Sequence, residues 1–235
     1  MIRLVLSLLH TALYAIFGHI LYPFLFIARE RISWWYFSTY SRILFRLNGV
    51  RVVAEGAGQV DPSRPHLVVS NHQSLFDIPV LMAVLPLDMR FFAKRELRWV
   101  PLFGTVMLLY GDVLVDRADT RGAVDALRRG KAFLARRSLV LFPEGTRSPD
   151  GKVHPFKTGG FSLATDTGTP VLPVAIRGSG DILPKKALFP RPGTIHVKVF
   201  PPVAAAAGDD RKALAARLEG TIRSFVEPDT QGGTS

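Results

Sequence analysis

The chain has 235 residues, 48% of them hydrophobic, which suits one α/β domain with a sizeable core and apolar surface to spare. It contains no cysteine, which excludes disulfides, thiolate metal sites and a cysteine nucleophile. The formal net charge of +11 directs attention to anionic partners: nucleic acid, an anionic membrane face, or phosphorylated substrates.

Residues 4–28 run for 25 positions without a Lys, Arg, Asp or Glu. As a helix this stretch would be about 37 Å long, against a bilayer core of about 30 Å. His10, His19, Ser7, Thr11, Gly18 and Pro23 count against spanning. No cleavage-site pattern surrounds Ala28-Arg29-Glu30-Arg31, so a signal peptide is not expected. Residues 33–47 mix Trp34, Trp35, Tyr36, Phe37 and Tyr40 with Arg42 and Arg46, the aromatic and basic composition of an interfacial helix. Residues 1–47 are therefore expected to associate with a membrane, either crossing it or lying on it.

From Val50 the pattern changes to short strands alternating with helices. Strands are predicted over 50–54, 66–69, 89–92, 113–115, 139–142, 171–176 and 194–200. Helices are predicted over 78–85, 101–110, 120–137 and 159–167, with a last amphipathic helix on Leu214, Leu218, Ile222 and Phe225. Alternation of this kind implies an α/β fold, a mixed sheet covered by helices. The expected organisation is a membrane-associating segment over 1–47, an α/β domain over 48–227 and a loose tail over 228–235.

Ligands of open α/β sheets bind at the carboxyl ends of strands. Four segments fall there: Asn71-His72, Lys94, Asp116-Arg117, and Glu144 to Arg147. His72 and Asp77 sit five residues apart across a strand-to-helix turn. An Asp on one ring nitrogen fixes the tautomer and leaves the other nitrogen to take a proton. Ser74-x-x-Asp77 is equally a capping-box pattern that needs no chemistry. In Phe142-Pro143-Glu144-Gly145-Thr146-Arg147-Ser148, Gly145 permits a tight turn and Arg147 offers a planar fork that matches phosphate.

Taken in order, Asn71-His72 with Asp77, then Gly111 to Arg117 (GDVLVDR), Phe142 to Ser148 (FPEGTRS) and Val171 to Ile176 (VLPVAI) resemble the four motif blocks of the glycerolipid acyltransferases. The resemblance covers residues 66–177, about half of the chain, and the residues 93–97 (AKREL) resemble a further family segment. It implies that His72 takes the proton from the free hydroxyl of a lysophospholipid while Asp77 orients the ring and favours its imidazolium. The alkoxide then attacks the thioester of an acyl-CoA or acyl carrier protein, with no metal and no cofactor. Lys94, Arg117 and Arg147 would hold the acceptor's phosphate. Glu144, Gly145 and Thr146 would complete the substrate-binding loop, with main-chain N–H groups near Glu144-Gly145 facing the oxyanion. The implied acceptor is lysophosphatidate, giving phosphatidate for phospholipid synthesis; another lyso-lipid is the alternative. The implied location is a membrane, at the cytoplasmic face of the cell membrane.

Three competing patterns fare less well. Gly160-Phe161-Ser162-Leu163-Ala164 resembles a serine-hydrolase elbow, but no strand runs into it. Gly145 to Lys152 resembles a phosphate loop, but has five residues between its glycines, and Val153 where a magnesium-binding Ser or Thr belongs. A basic membrane-binding module without catalysis would also explain the charge. Nucleic acid is not an expected partner, because no reading element for it is visible.

Overall fold

The computed structural model describes residues 2–25, 29–99, 113–115, 120–206 and 208–228. Among these, seven strands form one sheet: β1 (Val50–Glu55), β2 (Leu67–Ser70), β3 (Met89–Lys94), β4 (Val113–Val115), β5 (Ser138–Leu141), β6 (Val171–Arg177) and β7 (Gly193–Val199). Their spatial order is β1-β7-β6-β2-β5-β3-β4. Every pairing is parallel except β6 with β7, so β7 and β1 run against the other five strands. The sheet is therefore mixed, as expected.

The long helices are α1 (Ile2–Leu25), α2 (Arg29–Asn48), α3 (Asp77–Val84), α4 (Thr120–Leu134) and α7 (Arg211–Val226). Two single-turn helices, α5 (Ser162–Thr165) and α6 (Ser179–Ile182), lie in connections. The helix expected over 101–110 falls outside the described residues.

The central strands are apolar on both faces because both faces are covered. Val68 of β2, Val140 of β5, and Leu172, Val174 and Ile176 of β6 pack with Phe45 of α2 and with Val80 and Leu81 of α3. Their sequence neighbours Leu67, Val69, Leu139, Val171 and Ala175 turn the other way, onto Ala126 and Leu134 of α4 and Leu214, Leu218 and Ile222 of α7. This two-residue alternation splits one apolar run between two core layers. Val124 of α4 is exposed. Ala126 and Leu134, with Gly130 between them, take the face against the sheet, which small side chains let approach closely.

The first two helices form an antiparallel hairpin. Three of the polar residues of α1 that weighed against spanning, Ser7, His10 and Thr11, are turned onto α2. His10 Nε2 lies 3.1 Å from the Tyr40 carbonyl, Thr11 Oγ1 lies 3.2 Å from the Tyr40 hydroxyl, and Asn48 donates to Ser7 Oγ at 2.9 Å. The Tyr36 hydroxyl donates to the Tyr14 carbonyl and packs where a Cβ on Gly18 would stand. The opposite face of α1, with Ile2, Val5, Leu9, Leu13, Ile16 and Ile20, is exposed. Among the described residues no helix is long and apolar enough to cross a membrane. The second helix packs inward as well: Phe45 is buried with its ring centroid 5.9 Å from that of Phe76.

Candidate active site

The end of β2 is held by a side chain that imitates a strand. Asn71 Oδ1 accepts from the Ile176 N–H at 2.9 Å and its Nδ2 donates to the Ile176 carbonyl at 2.8 Å. The amide therefore occupies the place of one more peptide unit beside β6, while the main chain turns away. His72 follows immediately, at the carboxyl end of β2.

Asp77 begins α3 and is fully buried. Its Oδ2 accepts from Gln73 N at 2.7 Å, from Ser74 N at 2.8 Å and from His72 Nδ1 at 2.8 Å. The bond to Ser74 N is one half of the capping box. The other half is missing, since Ser74 Oγ accepts from Phe76 N and donates to the Leu183 carbonyl. One carboxylate thus closes the helix start and orients the imidazole. A carboxylate oxygen only accepts, so Nδ1 carries the proton and Nε2 presents a lone pair. Nε2 has no hydrogen-bond partner among the described residues, and the imidazole is 15% exposed. The ring stacks on Phe142 at 4.1 Å between centroids and 16° between planes, which fixes its tilt.

The loop after β5 grips His72 from both sides. Glu144 Oε1 accepts the His72 N–H at 2.8 Å, and Ser148 N donates to the His72 carbonyl at 2.7 Å. Glu144 Oε2 takes the His154 N–H at 3.1 Å. Burial pushes the Glu144 carboxyl above its ordinary value, and the two N–H bonds offset part of that rise. Glu144 thus stands behind the His72 turn with both oxygens on main-chain donors, rather than open toward a ligand. Farther along, bonds from the His154 ring, the Ser148 hydroxyl and Lys152 N hold the Asp150 carboxyl well below the usual range.

Gly145 has a φ of 75°, a left-handed conformation that disfavours a side chain, and its N–H bonds the Phe142 carbonyl at 3.0 Å. That donor, expected near the oxyanion, is spent on the turn. The N–H groups of Thr146 and Arg147 have no partner among the described residues. Arg147 is half-buried and its guanidinium has no partner there either. Two lysines missed in the sequence flank this loop. Lys157 Nζ would lie 2.9 Å from a Cβ on Gly145. Lys185 Nζ donates to Thr146 Oγ1 at 3.1 Å and to the Arg147 carbonyl at 2.9 Å. No motif marks Lys185, which is 38 residues from Arg147 in sequence. Lys94 ends β3, where its backbone pairs with Val115 of β4; Arg117 lies outside the described residues. Ser162 is buried, and its hydroxyl donates to the Gly159 carbonyl at 2.9 Å, so the elbow resemblance has no exposed nucleophile behind it.

The His72–Asp77 pair at the carboxyl end of β2, gripped by the Arg147-bearing loop after β5, makes a candidate active site at one end of an α/β sheet. The family model described as Acyltransferase matches residues 51–177. The 1-acyl-sn-glycerol-3-phosphate acyltransferase alpha of Mus musculus is 36% identical over 192 residues, 79% of this chain and 67% of that protein. Its Homo sapiens counterpart is 36% identical over 194 residues, 80% and 69% of the two chains. The crystal structure of the 1-acyl-sn-glycerophosphate (LPA) acyltransferase PlsC from Thermotoga maritima matches with a TM-score of 0.75 and 31% identity, over 99% of this chain and 100% of that one. The chain belongs to the acyltransferase family.

Proposed function

We propose that the protein is a 1-acyl-sn-glycerol-3-phosphate acyltransferase, transferring a fatty acyl group from an acyl-thioester to the free hydroxyl of lysophosphatidate to give phosphatidate for phospholipid synthesis. The observation that carries this reading is the Asp77–His72 pair held by the same loop that bears Arg147. His72 Nε2 removes the hydroxyl proton as the oxygen attacks the thioester carbon, and Asp77 stabilises the imidazolium that forms. Collapse of the tetrahedral intermediate expels the thiolate of coenzyme A or acyl carrier protein, which takes the proton from His72. No step calls for a metal or a cofactor.

Arg147 meets the phosphate of the acceptor, with Lys94 and Arg117 as further cations and Lys185 across the loop. Thr146 and Gly145 shape that loop, and the N–H groups of Thr146 and Arg147 are the main-chain donors open to a developing oxyanion. Glu144 positions His72 through its main chain. The exposed apolar face of α1 lies in the membrane interface. The net positive charge suits the anionic cytoplasmic leaflet of the cell membrane.

A panel of lyso-lipid acceptors and acyl-thioester donors with purified protein in detergent, read by product mass, tests the reading. Phosphatidate from lysophosphatidate is the expected product. A clear preference for an acceptor without a phosphate monoester would move the assignment to another lyso-lipid, and no acyl transfer with any pair would leave a non-catalytic basic membrane-binding module.

A further inference from the structure

The connection between β6 and β7 contributes only Lys185 to the chemistry above, yet its far side is built onto the turn that carries His72. Its neck is closed by Arg191 N donating to the Ile182 carbonyl at 2.8 Å. Its inner side is anchored by Ile182 and Leu183, both buried, and the Leu183 carbonyl accepts the Ser74 hydroxyl at 2.8 Å. Pro184, Pro190 and Pro192 restrict its backbone. On this stiff frame two large apolar side chains are turned outward: Leu188 is 81% exposed and Phe189 57% exposed. Lys186 and Arg191, beside them, are exposed and have no ion-pair partner among the described residues. Leu75, on the catalytic turn, is itself 52% exposed.

Adjacent exposed Leu and Phe with flanking cations are costly to leave in water and match the chemistry of an anionic lipid interface. The placement agrees. Gly193 N donates to the Gly49 carbonyl, and Pro192 and Arg3 both pack around Gly49. The base of this connection therefore meets the start of α1, whose apolar face is exposed. We infer that the β6–β7 connection is a second membrane contact: Leu188 and Phe189 enter the lipid interface of an anionic bilayer while Lys186 and Arg191 meet its headgroups. The inference rests on the membrane-associated reading of the hairpin and extends it to the rim of the active site. It gives the lyso-lipid a short route from the bilayer to His72, because the loop that enters the interface is bonded to the turn that carries the base.

The absence of cysteine permits a single-site probe. Phe189→Cys labelled with an environment-sensitive dye is mixed with vesicles of phosphatidylglycerol and phosphatidylcholine. Its emission should shift to the blue and be quenched by brominated lipid tails. The same dye on Ala204→Cys, exposed at the opposite end of the sheet, should not change. The double variant Leu188→Ser with Phe189→Ser should partition onto these vesicles about 10- to 100-fold more weakly, given the apolar area withdrawn from lipid. Its kcat/KM should fall similarly for lysophosphatidate embedded in vesicles and stay unchanged for a short-chain acceptor dissolved as monomers. A misfolded variant would lose both activities. If the unmodified protein floats with vesicles but the dye on residue 189 stays unshifted, the inference falls and the hairpin reading stands. Failure of the unmodified protein to float would remove both. A shift that follows protein concentration without vesicles would mean that a second copy covers the loop, which also overturns the inference.

Discussion

Replacing Asp77 by Asn keeps the shape of the turn from His72 to Asp77 and removes its charge. Asp77 Oδ2 takes three N–H bonds, from Gln73, Ser74 and His72. Asn can keep all three only with its carbonyl in the Oδ2 position. Its amino group then stands where the buried Oδ1 has no partner, at a cost of about 1–3 kcal/mol. Hydrogen bonds to a charged group are worth about 1.5–3 kcal/mol against about 0.5–1.5 for neutral ones. The folded state should therefore weaken by a few kcal/mol without losing the turn. The rate suffers more, because the His72 bond becomes an ion pair only as the proton arrives on Nε2. A positioned base contributes about 10²–10⁴-fold, which is about 2.7–5.4 kcal/mol of barrier. The kcat of Asp77→Asn, measured by product mass with a melting curve on the same sample, should fall within that range. Asp77→Ala should melt lower still, since Gln73 N and Ser74 N then lose their acceptor. A folded Asp77→Asn enzyme keeping more than about a tenth of its kcat would refute the reasoning, being far short of a general base's share.

Arg147→Ala should weaken use of lysophosphatidate by roughly 10- to 150-fold, the worth of a hydrogen bond to a charged group, and affect a lyso-lipid without a phosphate monoester less; equal losses would make Arg147 structural or donor-binding. Glu144→Gln leaves one acceptor for two main-chain donors, so kcat should drop about tenfold, given about 1–3 kcal/mol for an orphaned N–H beside His72. Because burial raises the Glu144 carboxyl from its ordinary 4.5, the folded chain holds more protons there than the unfolded chain within that window. The wild type should thus lose stability relative to Glu144→Gln as pH rises through it, and parallel pH–melting profiles would contradict this. Ser74 and Ser162 both spend their hydroxyls on main-chain carbonyls, so the acyl group should pass directly between bound substrates. Initial-rate plots should intersect, Ser162→Ala should keep substantial activity, and a donor-dependent acyl adduct on either serine would overturn direct transfer.

The central strands were legible because burial on both faces leaves an apolar run that no exposed element would carry. The direction of β1 and β7 was not, since nothing in Val50-Arg51-Val52-Val53 marks a strand as running against its neighbours. The His72–Asp77 contact was legible because both partners lie within one turn. The role of Glu144 was not: its two donors, His72 N and His154 N, are 72 and 10 residues away, and main-chain donors leave no sequence trace. Asn71, which stands beside His72 in the motif, holds β2 to β6 across 105 residues, a bond that no local pattern marks. The length of α1 and its polar residues left crossing and lying flat both open; His10 and Thr11 find their partners on α2, a pairing that the packing of the two helices brings about.

The most direct test of the account is single-turnover acyl transfer by His72→Ala, with lysophosphatidate and acyl-CoA both saturating and folding confirmed by an unchanged melting profile. The account predicts wild-type conversion to phosphatidate and a His72→Ala rate lower by about 10²–10⁴-fold. A folded His72→Ala protein forming phosphatidate at more than about a tenth of the wild-type rate would contradict it, because the only base the site offers to the hydroxyl among the described residues would then be dispensable.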